Sequence, residues 1–256
     1  MKRRGWSVPF LWITAALLAA CAGSPAAGQQ PDGAATSPAS ATAAWQFTVA
    51  GNRPVPPNGS QDTAAQAAGE SCDTAARTKD EATGKEVVIG FAAAKLPVSA
   101  DLLRHFLAGS GTAVAYQAGS PVATLALASA AFKAVNVQVQ AVVSRQLRSG
   151  GSQVKLTAAQ LPLVSFASAG GDLYWGFRGT QGLTVTGHGS REDGKYVGTL
   201  TYVIRDSYGF PAGDTLAGFG APMRYLQTAC GAPQHAGGAR WFPDTITVTV
   251  PFSQDT

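Results

Sequence analysis

The feature that most constrains this chain is a pair of alternating segments around Asp193-Gly194. Leu183-Thr184-Val185-Thr186 precedes the dipeptide, and Tyr196 to Arg205 follows it. Asp-Gly adopts the positive φ angles that tight hairpin turns need, so the two segments are predicted to pair antiparallel. In the second one, Leu200, Tyr202 and Ile204 point one way, and Thr201, Val203 and Arg205 the other. One face is then core and the other partly wet, as antiparallel sheets allow. Trp45 to Val49 alternates in the same fashion, and so does Thr245 to Val250, whose regular threonine face suits a solvated sheet surface. Pro251 is predicted to stop that last strand. Val87 to Phe91, Val154 to Leu156, Leu163 to Phe166 and Leu173 to Phe177 also read as strands.

Helical signals are fewer. Ser99 can cap a short helix over Ala100–Ala108, with Leu102, Leu103, Phe106 and Leu107 on one face and Gly109 at the exit. Between Ser129 and Ser149 two periods compete. Phe132, Val135, Val139, Val142, Val143 and Leu147 recur at helical spacing, while Val135, Val137 and Val139 alternate with Asn136, Gln138 and Gln140 in strand fashion. Length arbitrates for a helix, with Arg145 and Arg148 near its end where cations suit the dipole. No period of 20 to 50 residues points to a solenoid or propeller. The expected class is α+β, an antiparallel sheet with one or two helices packed on a face.

Lys2, Arg3 and Arg4 open an apolar run from Val8 to Ala20, and small residues precede a cysteine. That pattern reads as a secretory signal. Leu18-Ala19-Ala20-Cys21 resembles a bacterial lipobox. The resemblance implies a signal peptide over 1–20, cleavage before Cys21, a diacylglyceryl thioether on its sulfur and an acylated amino terminus. The protein would then be lipid-anchored in the cell membrane or outer membrane, facing the periplasm or the exterior, since two or more acyl chains hold stably. Residues 21–44, rich in Ala, Gly, Ser, Pro, Gln and Thr, read as a flexible tether with a reach of roughly 25 to 30 Å. Residues 45–256 are expected to form one compact domain. The longest other apolar stretch, Pro121 to Ala134, is shorter than the about 20 residues that span a bilayer.

The lipobox also bears on the cysteines. With Cys21 consumed as a thioether, Cys72 and Cys230 remain as a pair, and an exported pair is expected to be a disulfide; two free buried thiols are the alternative. Without the three basic residues of the leader, the 19 Lys and Arg fall to 16 against 15 Asp and Glu. Such near neutrality, with no cationic cluster, argues against a nucleic-acid partner.

Asp206-Ser207-Tyr208-Gly209-Phe210 is the most distinctive string in the chain. If its strand continues, Asp206 and Tyr208 share the apolar face with Ile204. Asp206 then either closes the turn through hydrogen bonds or acts as a general base beside a Tyr208 donor, which requires a raised pKa and a cleft. His188 completes the set of candidate catalytic residues. Neither His188, in Gly187-His188-Gly189-Ser190, nor Ser110, in Gly109-Ser110-Gly111, has the frame of a nucleophile elbow. His105 reads as an exposed or edge histidine. Histidine spacing gives no metal site, and without a P-loop or dinucleotide fingerprint no cofactor is expected. Tyr174, Trp175 and Trp241, near Arg178 and Arg240, are candidate binding aromatics.

The run from Asp172 to Phe210 is similar to strand pairs in domains of bacterial secreted toxins and effectors, where Asp206-x-Tyr208-x-Phe210 would close a sheet. That resemblance carries over no catalytic residue. Two functions follow as expectations. The first is a non-enzymatic envelope or surface module that binds a protein, peptide or glycan. The alternative is an extracytoplasmic hydrolase using Asp206 or His188.

Overall fold

The computed structural model describes residues 44–52, 71–150, 154–157, 161–211, 216–231 and 238–255. The leader, Cys21 and the tether up to residue 43 lie outside these residues, as does His235.

The hairpin organises the domain. Strands β3 (Gly182–Glu192) and β4 (Lys195–Tyr208) run antiparallel about Asp193 and Gly194, whose φ angles are 46° and 76°. The register sets Leu183 against Ile204, Val185 against Tyr202 and Gly187 against Leu200, so the apolar residues of both strands fall on one face. Strand β1 (Trp45–Asn52) adds antiparallel to β3, and β5 (Phe242–Asp255) adds antiparallel to β4. The short β2 (Val114–Tyr116) lies parallel to β5, giving the order β1-β3-β4-β5-β2. On the other face Thr48, Thr186, Thr201 and Thr249 stand in one row across four strands. The threonine pattern is therefore the wet side of the sheet.

Six helices, rather than one or two, occur among the described residues: α1 (Thr74–Ala93), α2 (Pro97–Leu107), α3 (Pro121–Ala128), α4 (Ala130–Arg148), α5 (Gly171–Phe177) and α6 (Gly220–Thr228). The class is α+β. The α4 helix is the one favoured over a strand, and it is capped by Ser129, whose hydroxyl accepts from the Phe132 N–H at 3.2 Å. Phe132, Val135, Val139, Val143 and Leu147 form its buried stripe. A break at Ser129 bends α3 from α4 by 71°, and among the described residues no single helix is long and apolar enough to cross a bilayer.

Several local expectations are corrected. Val87 to Phe91 is the end of α1, not a strand. The helix is nucleated far upstream by Asp73, whose carboxylate accepts from the Ala76 N–H at 2.8 Å, and it buries Gly84, Val88 and Phe91 at helical spacing. Ile89 is left 68% exposed. Leu173 to Phe177 belongs to α5; burial of Asp172, Leu173, Gly176 and Phe177 follows i, i+4 spacing, which five residues are too few to reveal. Helix α2 starts at Pro97, a residue preorganised for the first turn, and not after Ser99. Ser99 is buried, and both its N–H and its hydroxyl donate to Asp172 Oδ1, at 2.8 and 2.7 Å.

Val154 to Leu156 and Leu163 to Phe166 are not in the sheet. Val154, Leu156, Val164 and Phe166 are nonetheless buried. At Lys155 the Gln146 side chain does what a neighbouring strand would do, accepting from the backbone N–H at 2.6 Å and donating to the carbonyl at 2.7 Å. Nor does Pro251 end β5, which continues to Asp255. Strand β2 reaches only Asp244 to Ile246, so at Pro251 the missing N–H falls where, among the described residues, no strand pairs on the far side.

Helices cover the inner face. Phe132 meets Tyr202 edge-on at 5.0 Å, and the Tyr202 hydroxyl donates to Asn136 Oδ1 at 2.7 Å. Trp45 and Phe47 lie across glycines of the neighbouring strands. A Cβ at Gly187 would come within 2.2 Å of the Phe47 ring, and one at Gly198 within 2.6 Å of Trp45. Cys72 and Cys230 are bonded, with Cα atoms 4.9 Å apart across 158 residues of sequence. Beside the bond, the Tyr225 hydroxyl accepts from the Asp73 N–H at 2.7 Å, tying the start of α1 to α6 a second time.

Candidate binding cleft

Strand β4 ends in the one string the sequence singles out, and the sheet register gives Asp206 an unexpected neighbour. Its cross-strand partner on β5 is Asp244. Residues paired in this way project to the same side with Cβ atoms about 5 Å apart. Ile204, Tyr208, Phe242 and Ile246 surround the two carboxyls on the core face. Asp244 is 1% exposed, and among the described residues no other residue donates a hydrogen bond to its carboxyl oxygens. Asp206 is half-buried, and its Oδ1 accepts from the Ser207 N–H at 2.8 Å.

Burial and like charge act on this pair together. Desolvation pushes the Asp206 carboxyl up to about 7, against the opposing pull of the Ser207 N–H and the Arg178 guanidinium. Desolvation, then the neighbouring Asp206, hold Asp244 well above the usual carboxylate range. The two groups titrate as a unit, and near neutrality the unit retains a proton. Beyond Asp244, the Tyr116 phenol on β2 is also pushed up, first by burial and then by Asp244.

Asp206 opens onto a cavity of about 140 Å³. Arg178, Gln181 and Ser207 supply its other polar groups, and the Ser207 hydroxyl donates to Gln181 Oε1 at 3.0 Å. The opposite wall is aromatic. Trp175 lies 5.5 Å from Phe91 and 6.0 Å from Phe219, ring centre to ring centre, and Phe210 lies 6.0 Å from Phe219. Local structure explains the convergence: α5 carries Trp175, the end of α1 brings Phe91, and the turn entering α6 brings Phe219. Tyr208 lines the same space but stacks on Phe242 at 5.4 Å, with Phe106 at 6.2 Å, so its ring is part of the core.

The other sequence candidates separate. Tyr174 touches the cleft indirectly, edge-on to Trp175 at 5.0 Å and under the Arg178 guanidinium at 6.0 Å. Trp241 is half-buried beside the start of β5 and does not line the cavity. His188 is exposed on the threonine face, paired with Thr199, seven residues along β4 from Asp206. At about 3.3 Å per residue that is roughly 23 Å, on the wrong side of the sheet. His188 therefore cannot act with Asp206. At the flanking Gly187 the Phe47 ring occupies the space a side chain would need, and at Gly189 a Cβ would meet the Val197 carbonyl oxygen at 2.0 Å and the Trp45 ring at 2.7 Å.

His105 Nε2 donates to the Thr112 carbonyl at 2.9 Å, so it cannot take a proton from Ser110 Oγ at 3.2 Å. Its ring packs edge-on to Phe242 at 4.4 Å, which makes it a support for the loop before β2. A second hollow of about 470 Å³ lies between α3 and the residues before α5. Its ionisable group, Asp172, is the one that accepts from Ser99.

Sequence reasoning missed Asp244, Phe91, Gln181 and Phe219. A signal for Asp244 was present: it shares parity with Phe242, Ile246 and Val248, the same argument that marks Asp206. Among the described residues no group of three His, Cys, Asp or Glu side chains is placed to hold a metal ion. Comparisons with protein families, with curated proteins and with solved structures find no match to this chain.

Proposed function

We propose that this chain is a bacterial lipoprotein, anchored through Cys21, whose folded domain is a non-enzymatic envelope or surface module that binds a peptide or glycan. The observation that carries the binding role is the shared cavity, onto which Trp175 offers an apolar face while Asp206, Arg178 and Gln181 offer hydrogen bonds. Recognition sites combine an apolar wall with a few convergent polar groups in this way. The Cys72–Cys230 bond supports an oxidising compartment, in keeping with the leader. At about 140 Å³ the cavity accommodates one side group of a ligand, and the remainder would lie outside it.

Two measurements test the proposal. Intact mass of the protein from its membrane fraction should give a species beginning at an acylated Cys21 that gains two hydrogens on reduction; a species beginning at Met1 sinks the anchor. An array of envelope peptides and glycans, probed with the detergent-solubilised full chain, should give signals that W175A abolishes. The hydrolase reading is favoured by one observation, the Asp206 carboxyl held near 7, where a general base is most effective. Product formation from a bound array member, lost in D206N while binding persists, would favour it over the binding module.

A further inference from the structure

We propose that β1 is a pairing edge for a second copy of this chain: two copies join β1 to β1 antiparallel about a two-fold axis at Thr48, and their two five-stranded sheets become one. Neither the anchor nor the cleft is involved.

The edge itself is the first observation. A sheet edge offers unpaired N–H and C=O groups to any extended chain, and folded proteins guard it with charge, proline, a bulge or a cover. Among the described residues this sheet has two long open edges. On β5 the edge begins beyond Ile246, where β2 stops, and it carries Pro251, which lacks an N–H, and Asp255, 3.7 Å from Lys195. On β1 it runs the length of Trp45–Asn52, eight residues with neither a charge nor a proline. The register with β3 is unbroken, so no bulge turns the edge away. Solvent reaches it. Gln46, Thr48 and Ala50 are exposed, whereas Thr186 and Thr201, inside the same row as Thr48, are half-buried. The same contrast marks β5, where Thr245 beside β2 is half-buried and Thr249 beyond it is exposed.

The strand is also complementary to itself. Side chains alternate between faces, so a pairing that keeps both faces sets residues of equal parity against each other. With Thr48 on the axis, Gln46 stands opposite the partner's Ala50 on the wet face. On the core face Phe47 stands opposite the partner's Val49, and Trp45 opposite the partner's Gly51. Bulky residues meet small or β-branched ones, each of these pairs occurs twice, and no like charges meet. Val49 gains most: it is half-buried in one copy while Trp45 and Phe47 are buried, and the partner's Phe47 closes over it. The wet face continues as well, since the Thr48 hydroxyl lies 3.5 Å from that of Thr186 and the row reaches the edge at Thr48. A foreign strand would have to match this pattern; a second copy does so by symmetry.

Cysteine substitution in the detergent-solubilised full chain tests the axis. Opposed residues of antiparallel strands have Cα atoms about 4.5 to 5.5 Å apart, within disulfide range. Residues four apart along a strand are separated by about 13 Å, beyond it. On mild oxidation T48C is expected to give a linked dimer at least tenfold above the wild-type background. Q46C or A50C alone should stay at background, and a mixture of the two should link. T48K, which sets two ammonium groups on the axis at an exposed position, should turn the dimer into a monomer in sedimentation while its circular dichroism is unchanged. A wild-type chain that sediments as a monomer, a dimer that persists in T48K, or Q46C linking as readily as T48C would each overturn the proposal. So would a T48C product joined to a chain of different mass.

Discussion

Asp244 is the residue whose environment is hardest to reconcile with stability alone. Its carboxyl is buried on the core face, opposite another carboxyl, and among the described residues makes no hydrogen bond to another residue. A carboxyl whose pKa is higher folded than unfolded binds more protons in the native state, so stability falls as pH rises between the two values. The unfolded value is about 4, and Asp206 in the folded chain is near 7. The urea midpoint is therefore expected to drop between pH 5 and pH 8, and in D244N to drop less, because one of the coupled groups is gone. A wild-type midpoint that climbs over that range would show the pair to be ionised and compensated. Alternation marked Asp206 in the sequence because its string is distinctive; Asp244 has the same parity but stands in an ordinary strand beside Pro243, and pairing between strands far apart in sequence is what turns two unremarkable carboxylates into one unit.

At the scale of elements, the glycines of β3 and β4 set how the sheet packs. Gly187 leaves the room that the Phe47 ring fills, while at Gly189 and Gly198 an added methyl would overlap first a carbonyl oxygen of the facing strand and then the Trp45 ring. Thermal unfolding of G187A is expected to show a loss of about 1 to 3 kcal/mol, the usual cost of overpacking a tight core. An F47A, G187A double variant should recover part of the loss caused by G187A, measured relative to F47A, because the three nearest atoms that a Cβ at Gly187 would meet all belong to the Phe47 ring. The strands around these glycines were legible, since alternation over ten residues and an Asp-Gly turn leave little freedom. Short segments were not. Val87 to Phe91 looks extended because β-branched residues favour strands, but it is the last stretch of a 20-residue helix whose cap, Asp73, lies 14 residues upstream of Val87. The cleft was half legible for the same reason: Trp175 and Asp206 stood out, whereas Phe91 was assigned to a strand and Phe219 depends on where the turn into α6 comes to rest.

For the whole molecule, the Cys72–Cys230 bond joins the start of α1 to the end of α6 and encloses every described helix, while β1 and β5 lie outside the loop it closes. Removing it in a C72S, C230S variant should cost about 2 to 5 kcal/mol, read as a lowered denaturation midpoint. The anchor proposed at Cys21 does not depend on the bond, so on that proposal the variant is expected to stay in the membrane fraction while its denaturation midpoint falls.

The order of the sheet carries one more consequence. β5 is the last described element of the chain, yet it is inserted between β4 and β2. Until residues 242–255 arrive, β4 keeps an open edge and β2 has no strand to join. Residues 242–255 thus act as the seam of the sheet: the meander of β1, β3 and β4 and the separate strand β2 become one sheet only when that segment docks between them.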